Sequence, residues 1–105
     1  MSRLAQDRLD RVATEFVRSA GEQIRVEAES AIHCFRCGSA LGTRHHLSTL
    51  RRLAERSARI ERHVLHTSSS SARIKRAADA ALHALDAHSP ARVVQALERV
   101  EALAQ

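Results

Sequence analysis

Apolar residues in this 105-residue chain recur at intervals of three and four, the spacing of helices that bury one face. Near the start, Leu9, Val12, Ala13, Phe16, Val17 and Ala20 share one side of a helix that Ser2 is placed to cap. Gly21 falls inside this pattern and predicts a kink or a division. The spacing resumes at Ile24, Ala28, Ala31, Ile32 and Phe35. Residues 33–46 then read as a structured turn. A second helix is predicted from Leu47 to Leu65, with Leu50, Leu53, Ala54, Ser57, Ile60 and Val64 on its inner face. The polar run Thr67–Ser71 reads as a turn whose last serines can cap a third helix, Ala72 to Ala87, built around Ile74, Ala78, Leu82 and Leu85. Ser89-Pro90 is a restart signal, a cap followed by proline at the first helical position. Val93, Leu97, Val100 and Leu103 form the stripe of a fourth helix.

Strand signals are nearly absent, because there is no sustained alternation and little clustering of β-branched residues. No internal repeat of useful length is visible. The expected fold is all-α: an antiparallel bundle of three to four helices, one domain over residues 1–105. Short connections make neighbouring helices run up and down.

Composition makes the core thin. Hydrophobic residues form 44% of the chain, but many are alanine and the only aromatics are Phe16 and Phe35. Alanine buries little area, and burial stabilises by roughly 25 cal/mol per Å². Close helix packing, a metal or a partner subunit is therefore expected to supplement it.

The net charge is +5, carried almost wholly by arginine, with Lys75 the sole lysine. Twelve acidic residues offset much of it, so the balance fits nucleic acid, an acidic protein partner or neither. The first residues lack the apolar core of a signal peptide, and no apolar run approaches the ~20 residues of a membrane span. A cytoplasmic protein without membrane contact is expected.

The only two cysteines stand in Cys34-Phe35-Arg36-Cys37-Gly38. Two thiolates at this spacing can converge on one ion while glycine relieves crowding behind the second sulfur. The run predicts a zinc-knuckle-like turn between helices one and two. Structural zinc takes four ligands, so two more are needed. His63 and His66 would complete a familiar spacing, but a continuous second helix holds them about 30 Å away at 1.5 Å per residue. His45 and His46 follow Cys37 closely, and an antiparallel third helix returns His83 and His88 to the same end. The expected site is Cys34, Cys37, one of His45 and His46, and one of His83 and His88 or a residue of a second subunit. His33, adjacent to Cys34, is expected to point away. A redox-active dithiol and two ordinary packed cysteines are the alternatives.

Arg52, Arg56 and Arg59 line up on the outer face of the second helix, where they could track phosphates. Glu55 beside them favours a solvated, internally paired face, and aromatic residues for stacking bases are missing. No nucleophile elbow, Gly-rich phosphate loop or His-Glu-x-x-His occurs. The sequence therefore points to a small, non-catalytic zinc-binding interaction or regulatory protein, with a protein partner or self-association. A nucleic-acid-binding regulator and a thiol- or metal-responsive switch are its rivals.

Overall fold

A computed structural model describes residues 2–67 and 70–105, and the description that follows concerns these. Four helices occur in order: α1 (Arg3–Arg36), α2 (Ala40–His63), α3 (Ser70–Asp86) and α4 (Pro90–Ala104). Among the described residues there is no strand. The helices form a ring in which α1 packs on α2, α2 on α3, α3 on α4 and α4 on α1. Consecutive helices are antiparallel, as the short connections require. The all-helical bundle expected from periodicity is what is observed. No helix among the described residues is long and apolar enough to cross a membrane.

The core lies in two layers, each drawn from all four helices. One holds Ile24, Ala28, Leu50, Ala54, Ile74, Ala77, Ala78 and Val100; the other holds Ala31, Leu47, Ala81, Ala84, Val93 and Leu97. Half of these side chains are alanine, so the helices approach closely and the few large groups carry most of the apolar burial. Arg44–Asp86 and Arg51–Asp79 tie α2 to α3 along their solvent edge.

Three expectations need correction. Residues 33–46 are not a turn: α1 continues through Cys34 to Arg36, and α2 begins at Ala40. The connection is a tight stop and restart. The amide of Gly38 donates to Phe35 O (3.1 Å) and that of Ser39 to Cys34 O (2.8 Å), with Gly38 at φ 80°. These are the two bonds of a Schellman helix end, which calls for a left-handed residue at this position. Ser39 Oγ then accepts from the amide of Gly42 (3.0 Å) and caps α2. Gly21 neither kinks nor divides α1, because the helical hydrogen bonds absorb a single glycine whose added Cβ would meet only open space. Third, the inner face of early α1 is carried by Ala13 and Ala20, while Leu9, Val12 and Phe16 are exposed. The proposed serine cap of α3 involves residues 68 and 69, outside the described residues; the helix begins at Ser70.

A repeat also emerges that sequence reading missed. The hairpin of late α1 and early α2 corresponds to α3 and α4 at an offset of 50 residues. Ile24, Ala28 and Ala31 match Ile74, Ala78 and Ala81; Leu47 and Leu50 match Leu97 and Val100. The helix end recurs too. His88 donates to Leu85 O and Ser89 to Ala84 O, both at 3.1 Å, with His88 at φ 51°. Ser39 and Ser89 begin the next helix in each half. The bundle is thus two related hairpins about a pseudo-twofold axis. The first is longer, since α1 and α2 run past the four-helix section.

Candidate functional site: the two outer grooves

The repeat relates two outer faces of the bundle, one along α1 and α2 and one along α3 and α4. They carry different chemistry.

The first bears the cysteines. Cys34 occupies the last turn of α1 and is half-buried; Cys37 is the C-cap and is exposed. Gly42 faces Cys34 so closely that a Cβ there would fall 2.7 Å from Cys34 Sγ. Cys37 Sγ lies 3.7 Å from His33 Nε2, one turn earlier on the same helix. His33, disfavoured as a ligand because it adjoins Cys34, thus lies beside the thiol of Cys37 instead. His46 is engaged elsewhere: its Nδ1 is 2.6 Å from Glu27 Oε2, a half-buried link between α1 and α2. His45 makes an edge-to-face contact with His46, ring centroids 5.1 Å apart. His83 lies on α3, in the other groove, and His88 is the left-handed residue ending α3. The antiparallel course does return His83 and His88 to the cysteine end of the bundle, and it leaves His63 and His66 at the opposite end. Among the described residues, no three histidine, cysteine or carboxylate groups gather around a point where a metal would sit.

The outer face of α2 divides. Arg59 pairs with Glu55, which also reaches Arg51, as the sequence suggested. Arg52 and Arg56 border a small depression of about 190 Å³ with Thr49 and Leu53.

The second groove was not anticipated. Between α3 and α4 runs a trough of about 660 Å³ lined by Arg73, Arg76, His83, Arg92, Gln95 and Arg99 over alanines 77, 80, 84 and 96. No carboxylate lines it. Each carboxylate ion pair among the described residues uses Arg18, Arg44, His46, Arg51, Arg59 or Lys75, so these four arginines are unpaired. Arg73 and Arg76 stand on one wall and Arg92 and Arg99 on the other, because α3 and α4 are antiparallel and each presents residues three to seven apart on one face. The span from Arg73 to His83 is about 15 Å at 1.5 Å per residue. The signal was available in sequence: arginines at helical spacing beside alanines at positions 77, 80 and 84. It was hidden because the two walls come from separate helices.

Against known proteins the chain matches no family model, and neither the curated proteins nor the solved structures give a significant relative.

Proposed function

We propose that this chain is a non-catalytic interaction module whose α3–α4 groove seats an acidic amphipathic helix of a partner protein. The carrying observation is the ring of four unpaired arginines around a floor of alanine. Arginine pairs with carboxylates in a fixed fork geometry, and its charge here is not spent on internal partners. The alanine floor lets a third helix approach closely, with small or apolar residues inward and Glu or Asp on both flanks. A phosphodiester strand would use the arginines but leave the apolar floor without a role, and the trough has no aromatic side chain for a base to stack on.

The test is a fluorescence titration with a labelled peptide bearing an Ala/Leu stripe flanked by glutamates. Binding should weaken with salt and fall at least ~10-fold in an Arg92→Glu, Arg99→Glu double variant; losing 1.4 kcal/mol suffices for that factor. Equal loss of duplex DNA binding, without peptide binding, would transfer the groove to the nucleic-acid reading. No binding of either probe would discard the groove as a site.

A second reading keeps zinc, favoured by the approach of His33 to Cys37. In it, Cys34 and Cys37 hold the ion, with further ligands brought by a histidine such as His45 or by a second molecule. Mass spectrometry of untagged protein tests it: about one zinc per chain, lost in Cys37→Ser, supports the reading, and metal-free protein with two titrating thiols removes it.

A further inference from the structure

The lower half of α1 presents an apolar stripe that its own bundle leaves uncovered. Ala5, Leu9, Val12, Phe16, Ser19, Gln23 and Val26 follow one another at alternating steps of four and three, a heptad seam. All seven are exposed, and the large ones show more than a third of their surface: Leu9 40%, Val12 63%, Phe16 39% and Val26 59%. Single exposed apolar residues are ordinary; four at coiled-coil spacing on one helix are not. At the same end of the molecule Ile60 of α2 and Val64 and Leu65 just after it are only half-buried, and residues 2–9 of the chain are exposed apart from Gln6.

We infer that the first four positions of this stripe, Ala5 to Phe16, are a self-association seam, on which the α1 helices of two copies pair antiparallel with Leu9 of each against Val12 of the other. The register follows from side-chain size and charge. With Leu9 opposite Val12, Phe16 falls opposite Ala5, so each layer matches a larger side chain with a smaller one. Arg8, which makes no ion pair among the described residues, then flanks the seam beside Glu15 of the second copy, where it would join Arg18 at that carboxylate, twice by symmetry. Sliding by one heptad places Phe16 against Val12, but pairs Leu9 with Ser19 and Ala5 with Gln23, and sets the two Glu15 side chains against each other. A parallel pairing fails for another reason. It sets Arg8 against Ala13 and Glu15 against Ala20 of the other copy, so no ion pair crosses the seam, and both alanines are already buried inside their own bundle at 6% and 5% exposure. In the antiparallel arrangement the bundles lie on opposite sides of the crossing. The projecting first turns of each α1 rest beside residues 11–18 of the other, an overlap of about 16 residues and 24 Å.

A second copy is the occupant because the stripe is its own complement in size and charge. The surface is separate from the α3–α4 groove, so the inference does not depend on that groove's partner.

The experiment is sedimentation equilibrium of the full chain from 5 to 500 μM. A monomer–dimer equilibrium is expected. Val12→Glu, at an exposed position, should keep the monomer's helicity and weaken the dimer at least ~10-fold. Arg8→Glu and Glu15→Arg should each weaken it, and the double exchange should restore most of the affinity, which only a register joining these two positions does. A monomer throughout the range overturns the inference. So does a dimer indifferent to Val12→Glu, or one in which the double exchange is as weak as the worse single variant.

Discussion

Cys34 Sγ occupies the space that a side chain on Gly42 would need: a Cβ there would stand 2.7 Å from the sulfur, 3.2 Å from Cys34 Cβ and 2.9 Å from Ser39 Oγ. Glycine inside a helix is ordinarily worse than alanine by about 1 kcal/mol. Here the sign should reverse, since the added methyl would press on the thiol and on the hydroxyl that caps α2. Gly42→Ala is expected to lower stability by about 1–3 kcal/mol in urea denaturation. Cys34→Ala in the same chain should recover much of the loss. A stabilised Gly42→Ala would show that the contact is not as close as the geometry gives.

The two helix ends of the repeat differ at one informative position. Gly38 and His88 occupy the same left-handed site, φ 80° and 51°. For a residue with a Cβ this conformation costs roughly 1–2 kcal/mol, partly offset by the extra freedom glycine has when unfolded. Gly38→Ala should therefore destabilise by about 1 kcal/mol, and His88→Gly should stabilise by about 0.5–1 kcal/mol. Opposite signs from equivalent positions, read as melting shifts, are the expected pair.

Fold class was legible because the period of three and four persists through Ile24–Phe35, Leu47–Ile60 and Val93–Leu103, whatever those residues pack against. The hairpin connection was misjudged for a local reason. Cys-x-x-Cys-Gly serves equally as a metal turn and as the closing turn of a helix, and Gly38 is used as the left-handed stop that Schellman bonding requires. The repeat was invisible because it survives at buried positions such as Ile24/Ile74 and Leu47/Leu97. Between them Cys34 faces Ala84 and Gly38 faces His88 in the alignment, so identity is diluted. The exposure of Leu9, Val12 and Phe16 lay beyond periodicity as well. That pattern shows which side of a helix is apolar, not whether the same chain supplies its cover.

Early α1 also holds a pair whose titration is checkable. The hydrogen bond from Arg18, and then its charge, hold the Glu15 carboxyl below the usual carboxylate range. A depressed native pKa means stabilisation that is fully present above the unfolded value of about 4.3 and lost as pH falls through the native one. Both side chains are solvent-exposed, so the readout is the titration itself. Carbon-detected NMR of Glu15 should give a midpoint that rises towards the ordinary value in Arg18→Gln. An unchanged midpoint would mean the pair does not persist in solution.

Ser57 carries the last test. It is 1% exposed, and its hydroxyl finds no hydrogen-bond partner among the described residues. One turn on, Glu61 is 5% exposed; one carboxylate oxygen accepts from Ser71 Oγ while the other is unpartnered. A buried hydroxyl without a partner is penalised by the lost hydration, on the order of 1–3 kcal/mol. Serine is also a poorer helix former than alanine by several tenths of a kcal/mol. Both effects favour Ser57→Ala, whose methyl fits within the volume the hydroxymethyl already fills. The variant should be more stable by about 0.5–1.5 kcal/mol in urea denaturation. A loss of stability instead would reveal that Ser57 and Glu61 share a bridging water or bound ion at this end of the bundle, since only a satisfied hydroxyl is missed when it is removed.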